Sequence, residues 1–280
     1  MVDILSVVFR RFGSQLHASG DIKLSSQPES STLVVGDENI NRSLLLLTAI
    51  TAASEMGYKV LFFTQNQIQS LPVTVQDSPV SLKPDSLKKI RFVYPKTLEE
   101  LLEDVASLHE LVPETAPLPS LLIVDGVERY VCVQDRPQHD SQSTAAHIVA
   151  LLHDTAAFLK ARSEKSQQPP CKVIVSYQPE WEGRGGDMFA PDSVLLVLER
   201  YLQVRCNLHK VINRAGAQNE WLLCLSGPGL QGDGSGNGEK CVGMQWRVVM
   251  QPNGALEFRP ESAPKEESLQ VQHSDCGNET

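Results

Sequence analysis

Residues 32–43 read TLVVGDENINRS, and the strand, turn and helix that they predict indicate the fold class. Its first four residues are apolar or β-branched and predict a short strand that stops at Gly36. The leucine-rich run from 43 to 56 predicts a helix, and Gly57 can end that helix in the left-handed conformation. Residues 58–64 are β-branched and aromatic and predict the next strand. Strand, loop, helix and strand within about 35 residues indicate a parallel βαβ crossover.

The rest of the chain continues this alternation of strands and helices and then has closely spaced strands only. Strands are predicted at 90–94, 120–125 and 172–177, separated by helices at 97–108 and 143–162. After a short helix at 192–201, closely spaced strands are predicted at 203–208, 220–225, 245–250 and 255–258. The pattern predicts an α/β fold with a central, mostly parallel sheet and antiparallel C-terminal strands.

The 280 residues, 41% of them apolar, suffice for one domain of about 200–250 residues or for two small ones. We assign residues 32–260 to one domain, residues 1–31 to a flexible N-terminal lead and residues 261–280 to a disordered acidic tail. Within the lead, the apolar segment Ile4–Phe9 predicts either a docking strand or helix for a partner or a frayed terminus. The sequence has neither a signal-peptide pattern nor an apolar run long enough for a membrane span, so we expect an intracellular protein.

The charge balance limits the nucleic-acid chemistry open to the chain. Lysine and arginine residues number 25 and acidic residues 34, so the formal net charge is −9. Dedicated duplex-DNA binders usually carry a basic surplus, so we expect any DNA contact from a local patch or from a partner. The six cysteines form no closely spaced pair, which excludes zinc ribbons and zinc fingers.

The turn after the first strand matches part of a phosphate-binding P-loop. That motif reads Gly, four residues, then Gly-Lys and Ser or Thr; its backbone N–H groups and lysine hold phosphates, and its hydroxyl ligates Mg²⁺. Here Gly36 and Ser43 match in type and spacing, whereas Asn41 replaces the second glycine and Arg42 the lysine. Two acids after Gly36 oppose phosphate binding. The alternative is an ordinary helix N-terminus that follows a glycine.

Two further strand ends carry polar residues suited to a nucleotide site. Asp125 ends the strand 120–125 and could hold Mg²⁺ together with Ser43. Gln178 follows the strand 172–177, and its amide could sense a γ-phosphate. The alternatives are an ordinary strand-end acid and a turn residue before a proline.

The order of these parts resembles the RecA-type ATPase core of eukaryotic recombinase paralogues, and more closely the SWSAP-type ATPases. The strings that carry the closer resemblance are 60–64 (VLFFT), 69–72 (QSLP), 87–95 (LKKIRFVYP), 120–126 (SLLIVDG) and 150–157 (ALLHDTAA). The resemblance extends over residues 33–260 and implies a lone RecA-like P-loop NTPase core.

This resemblance implies a specific function. It implies binding and hydrolysis of ATP with Mg²⁺, binding of single-stranded DNA, and membership of a Shu-like complex with a SWIM-domain zinc-finger protein. Recombinase or its paralogues are further expected partners. The implied role is homologous-recombination repair of DNA damage, and the implied location is the nucleus.

The resemblance also assigns roles to residues. Gln178 matches the phosphate-sensing glutamine of recombinases, and Asp125 matches their metal-binding acid. Gln65 stands where active recombinases have the glutamate that activates water, and an amide cannot act as that base. Asn41 and Arg42 replace the family's glycine and lysine. We therefore expect a weak or absent ATPase.

Two groups of residues are candidates for contact with single-stranded DNA. One is Lys88, Lys89 and Arg91; the other is Trp181 and Arg184, in the glycine-rich loop that follows the last parallel strand. In RecA-like proteins mobile loops contact single strands, where aromatic side chains stack on bases and cations follow the backbone. The alternatives are that the three cations solvate the start of a strand and that Trp181 packs on the core.

Three functions remain open from the sequence. The chain is an ATP- and DNA-binding subunit of a recombination complex, a pseudo-ATPase scaffold that stabilises its partner, or an unrelated α/β enzyme such as a small-molecule kinase or reductase. The third lacks a GxGxxG motif after the first strand.

Overall fold

The computed structural model describes residues 4–13, 31–76, 83–110, 118–132, 138–165, 168–179, 192–211, 219–228 and 244–260. The strands are β1 (Thr32–Val35), β2 (Val60–Thr64), β3 (Ile90–Val93), β4 (Leu121–Asp125), β5 (Lys172–Tyr177), β6 (Val204–Val211), β7 (Asn219–Ser226), β8 (Met244–Met250) and β9 (Leu256–Pro260). The helices are α1 (Ile4–Arg11), α2 (Glu38–Ser54), α3 (Val73–Gln76), α4 (Pro84–Leu87), α5 (Leu98–Ala106), α6 (Glu128–Val131), α7 (Gln138–Lys165) and α8 (Ser193–Tyr201).

In this part of the chain, all the strands join one sheet in the order β3-β2-β4-β5-β1-β6-β7-β8-β9. Neighbouring strands from β3 to β6 are parallel, and those from β6 to β9 are antiparallel. The predicted fold class is confirmed. Because parallel strands point the same way, β4, β5 and β1 end side by side, at the edge of the sheet where α/β folds bind their ligands.

Two apolar layers cover the sheet, one on each face. Along β4, Leu121 and Ile123 pack in the layer with α1 and α2, whereas Leu122 and Val124 pack in the layer with α5 to α8. Alternate residues of a strand point to opposite faces, so a strand with helices on both sides is apolar throughout. Asp125, the last residue of β4, continues this buried run and places a carboxylate inside the protein.

The N-terminal helix α1 differs from the expected flexible lead. Every residue from Ile4 to Phe9 is buried, in the apolar layer that includes α2 and the antiparallel strands. The centroid of the Phe9 ring lies 4.5 Å from that of Trp246 and 5.3 Å from that of Phe258. The assignment of residues 4–13 to a flexible lead, with an apolar docking segment, is wrong because these side chains fill the protein's own core.

Polar contacts fix the end of α1. Arg11 Nη1 donates a hydrogen bond to Ser54 Oγ at 2.7 Å. The N–H of Phe258 donates to the carbonyl of Phe12 at 3.3 Å, and Gly13 forms a parallel bridge with Phe258. The segment after α1 therefore continues the sheet beside β9.

Helix α7, with 28 residues, packs against α5 and α8 on one face of the sheet. No helix in the described part of the chain combines the length and the apolar character that a bilayer-spanning segment needs.

We expect Phe9→Ala to lower the free energy of unfolding by about 3–5 kcal/mol, because it removes a buried ring and leaves a cavity. Arg10→Ala is the control on the same helix, since Arg10 is exposed and its truncation should change that free energy by about 0.5 kcal/mol or less. Urea titration followed by circular dichroism measures both variants. Equally small effects would contradict the placement of α1 in the core.

Candidate nucleotide site

The carboxyl ends of β1, β4 and β5 meet the N-terminus of α2. The first residue after β1 donates its N–H to the last carbonyl of β5 at 3.3 Å. Arg42 of α2 reaches Asp125 at the end of β4, with 2.8 Å between Nε and Oδ2. The N–H of Glu38 donates to Gln178 Oε1, just beyond β5, at 3.2 Å. The structure therefore brings together residues that the sequence assigned to a nucleotide site at three strand ends.

The turn between β1 and α2 is too short to be a P-loop. Helix α2 begins at Glu38, five residues before the predicted start at Ser43. Only Gly36 and Asp37 separate it from β1, and the N–H of Asn41 already bonds the carbonyl of Asp37 at 3.0 Å. The predicted helix start is wrong because Asn41, in place of the second glycine, is less unfavourable in a helix than glycine and bonds its side chain back to the Gly36 carbonyl. The residues that would wrap around phosphates are helical instead.

Asn41 and Gly36 have structural roles in this turn. The Asn41 side chain is 2% exposed, and its Nδ2 donates to the carbonyls of Gly36 at 2.8 Å and Tyr177 at 3.3 Å. This amide ties the ends of β1 and β5 together. A Cβ atom added to Gly36 would lie 2.8 Å from Leu208 Cβ and 2.9 Å from Asn41 Oδ1, so close packing requires glycine there. Neither role involves a phosphate.

Asp125 is 1% exposed and fully engaged by the protein. Its Oδ2 accepts hydrogen bonds from Arg42 Nε at 2.8 Å and from Thr64 Oγ1 at 3.0 Å. Its Oδ1 faces Ser176 Oγ at 3.4 Å. A buried carboxylate requires a paired cation or metal and satisfied lone pairs. Here a guanidinium supplies the positive charge that Mg²⁺ would supply in an NTPase.

Glu38 extends this pairing into a network. Its Oε1 lies 3.1 Å from Arg42 Nη2 and 2.7 Å from Arg129 Nη2. Glu128 Oε1 lies 3.9 Å from Arg129 Nη2, and Glu128 Oε2 accepts the N–H of Gln178 at 3.0 Å. We refer to these charged residues as the ion-pair cluster, which consists of Glu38, Arg42, Asp125, Glu128 and Arg129.

The ion-pair cluster does not fit a magnesium–nucleotide complex. The guanidinium of Arg42 occupies the face of Asp125 that a hydrated metal would use. The carboxylate of Glu38 lies at the N-terminus of α2, where a phosphate would bind in a competent site. Three carboxylates face two guanidinium groups, so the cluster already has a formal charge of −1 before any phosphate enters. Within the described residues, no group of three or more His, Cys, Asp or Glu side chains could hold a metal ion.

Two further residues of the predicted ATPase site make local bonds. Ser43 Oγ donates to the carbonyl of Asn39 at 2.8 Å, within its own helix. Gln65 Nε2 donates to the carbonyl of Lys96 at 3.2 Å, and Lys96 Nζ donates to the carbonyl of Gln65. Gln65 thus ties the end of β2 to the segment after β3.

The candidate DNA contacts that the structure describes lie away from the ion-pair cluster. Lys88 and Lys89 precede β3, at the amino ends of the parallel strands, whereas the cluster lies at the carboxyl ends. Lys88 Nζ is paired with Asp85 at 3.0 Å. Arg91 is exposed. Trp181 and Arg184 lie outside the described residues.

Glu38 was predicted only as one of two acids that oppose phosphate binding; its ion pairs, and the roles of Glu128 and Arg129, were not predicted. The signal for the first of these pairs was present, because Glu38 and Arg42 are four residues apart and therefore share a helix face. Arg129 lies four residues after Asp125, and its Nη1 approaches the Asp125 carbonyl at 3.4 Å. Its partnership with Glu38 depends on how α2 and α6 meet in the fold, which no local pattern encodes.

Burial raises the pKa of Glu128, against the opposing hydrogen bond from the N–H of Gln178. A carboxyl whose folded pKa lies above its unfolded value of about 4.3 favours folding below that pH, and this contribution is lost as the pH rises through the folded pKa. Glu128→Gln keeps the acceptor for Gln178 but does not ionise. We expect the free energy of unfolding of the variant, relative to the parent, to increase as the pH rises above about 4.3. Denaturant titrations from pH 4 to 8 measure this difference, and a pH-independent difference would contradict the raised pKa.

Comparison with known proteins shows which proteins this chain is similar to in sequence. No family model matches the chain. Over 164 residues, 59% of its length, the chain is 36% identical to the proteins named ATPase SWSAP1 of Homo sapiens and Mus musculus. The matched segment is 64% of the human protein and 52% of the mouse protein, so the chain spans less than two thirds of either relative.

Solved structures agree with the topology. The crystal structure of a RadB recombinase has a TM-score of 0.52 at 16% identity and covers 82% of this chain and 90% of that one. The KaiC-like protein PH0186 of Pyrococcus horikoshii OT3 has a TM-score of 0.51 at 10% identity, with coverages of 82% and 89%. At these identities the likeness shows the fold alone. The chain is similar to the ATPase SWSAP1 proteins over part of their length, and its fold is RecA-like.

Proposed function

We propose that this chain is a subunit of a recombination complex and acts there as a scaffold for a SWIM-domain zinc-finger partner. In this role its former nucleotide site is a structural ion-pair cluster that works without ATP and Mg²⁺. The pair between Arg42 and Asp125 carries the proposal. The complex acts in homologous-recombination repair in the nucleus, with recombinase or its paralogues as further partners and single-stranded DNA as its substrate.

The energetics of the pair support a scaffold over an ATPase. Removing one partner of a buried ion pair costs about 3–5 kcal/mol, because the other charge is left buried and uncompensated. Mg²⁺ can approach Asp125 only after Arg42 has moved away. Since each 1.4 kcal/mol is a factor of ten, this cost weakens metal-dependent nucleotide binding by about two to almost four orders of magnitude. A micromolar nucleotide site would then bind in the range of tenths of a millimolar to millimolar.

The charge distribution supports a partner for DNA binding. The chain has a net charge of −9, and one of its candidate DNA-binding lysines, Lys88, is paired with Asp85. Binding to phosphates by a few lysines is weak and falls steeply with salt. We therefore assign most of the affinity for single-stranded DNA to the complex, with Lys89 and Arg91 as this chain's contribution.

Similarity in sequence and in fold supports the recombination setting over an unrelated α/β enzyme. The two SWSAP1 relatives share 36% identity with this chain over more than half its length. Their name describes them as ATPases. The present chain retains the fold and has a site that its own side chains fill.

Arg42→Met is expected to lower the free energy of unfolding by about 3–5 kcal/mol, because it leaves Asp125 buried without its cation. The double variant Arg42→Met with Asp125→Asn removes both charges and should lose less than about 2 kcal/mol. Guanidinium titration of both proteins measures the difference. A double variant at least as unstable as the single one would contradict a structural role for the pair.

A fluorescent ATP analogue, titrated into the purified complex with the SWIM-domain partner, tests the function. We expect no Mg²⁺-dependent binding at concentrations below about 0.1 mM, and unchanged partner binding with or without nucleotide. Ser43→Ala is the diagnostic variant, because its hydroxyl would ligate Mg²⁺ in an ATPase but here bonds only within α2. Asn39→Ala, an exposed change in the same turn, is the control.

The same experiment identifies the competing function. Mg²⁺-dependent binding at micromolar concentration that is lost in Ser43→Ala and kept in Asn39→Ala would overturn the scaffold proposal. It would establish an ATP-binding subunit.

A further inference from the structure

Gln178 is held on two sides by the elements of the former nucleotide site. Its side-chain Oε1 accepts the N–H of Glu38 at 3.2 Å, from the first turn of α2. Its backbone N–H donates to Glu128 Oε2 at 3.0 Å, from the first turn of α6. The residue matched to a phosphate sensor is thus bonded to two parts of the protein.

Glu38 has the surroundings of a bound anion. Two guanidinium groups converge on its Oε1, from Arg42 at 3.1 Å and from Arg129 at 2.7 Å. It also lies in the first turn of a 17-residue helix, whose free N–H groups and dipole favour negative charge. Arginine pairs and helix N-termini are the groups with which proteins bind phosphates. Here the Glu38 carboxylate, a side chain of the protein itself, lies beside both an arginine pair and a helix N-terminus.

Arg42 has the surroundings of a bound cation. Its Nε donates to the buried Asp125, and its Nη2 lies beside the Glu38 carboxylate. One guanidinium therefore bridges two carboxylates, as a divalent ion bridges an aspartate and a phosphate. Five donors in a planar fork allow this bridge, which the single point charge of a lysine cannot reproduce.

We infer that Glu38 and Arg42 together form a built-in substitute for nucleotide and metal. The Glu38 carboxylate takes the place of a phosphate between the two arginines, and the Arg42 guanidinium takes the place of the metal at Asp125. The ion pairs of these two side chains fix the first turn of α2, and the Glu38 backbone N–H of that turn bonds Gln178 Oε1, so the substitute positions Gln178 through the turn. The inference rests on the proposed nucleotide-independent function and gives it a physical mechanism.

Replacing Glu38 tests this inference. Glu38→Ala removes the carboxylate and leaves Arg42 and Arg129 facing a vacant place that inorganic phosphate can enter. Since Glu38 is partly exposed, the loss of its two ion pairs is a modest one, and we expect the unfolding temperature to fall by about 2–4 °C. Millimolar inorganic phosphate without Mg²⁺ should restore at least half of this loss at constant ionic strength, by binding the folded state. Asn39→Ala and the parent chain should show no such phosphate effect.

Hydrogen exchange at Gln178 reports the positioning role. In Glu38→Ala we expect the Gln178 amide and its neighbours in β5 to exchange about tenfold faster, and phosphate to reverse the change. In the parent chain neither phosphate nor ATP should alter this exchange. If Glu38→Ala destabilised the protein for a reason other than the loss of the carboxylate between the arginines, its unfolding temperature would fall and phosphate would not restore it.

Two outcomes overturn the inference. One is an equal gain in stability from phosphate in the parent chain, Asn39→Ala and Glu38→Ala, which shows general ion binding. The other is no gain in Glu38→Ala. If Glu38→Ala does not fold, Glu38→Gln keeps the side-chain volume, and the same phosphate difference is required of it. Failure here is distinct from failure of the proposed function, which depends on Mg²⁺-dependent nucleotide binding by the parent chain.

Discussion

The structure depends on one buried carboxylate. Asp125 ends a strand that is buried along its whole length, so its charge must be neutralised inside the protein. Arg42 provides that neutralisation from α2, across the ends of β4, β5 and β1. This contact and the hydrogen bonds of the Asn41 amide hold the start of α2 against the sheet. The same turn keeps the Glu38 carboxylate beside two arginines and the Glu38 N–H against Gln178.

Two departures from the P-loop pattern belong together. Asparagine in place of the second glycine favours a helical turn and cross-links β1 to β5 through its amide. Arginine in place of lysine then projects from that helix with enough donors for both Asp125 and Glu38. Each residue alone would damage a phosphate-binding loop. Together they fill the site with hydrogen bonds and ion pairs between the protein's own groups. The sheet and helix arrangement of the RecA-like fold is kept.

Much of this arrangement could be predicted from the sequence. The apolar runs that end at Val35, Asp125 and Tyr177 identified buried parallel strands, and parallel strands bring their carboxyl ends to one edge. The start of α2 was wrong because the motif was interpreted as a loop. For Ile4–Phe9 the sequence left a strand, a helix and a frayed terminus open, and the place of α1 in the core was missed because an apolar segment does not specify the surface on which it packs. The bond between Glu38 and Arg129 depends on tertiary packing and has no local signal.

The placement of α1 has a consequence for folding. Its Phe9 ring packs on Trp246 of β8 and Phe258 of β9, which are far from it along the chain. Contacts between residues so far apart in sequence carry a large loop-closure cost and slow the folding of a domain. Until β8 and β9 have formed, the apolar side chains of α1 have only part of their core to pack on. A folding intermediate that lacks these strands therefore exposes an apolar helix and is prone to aggregation.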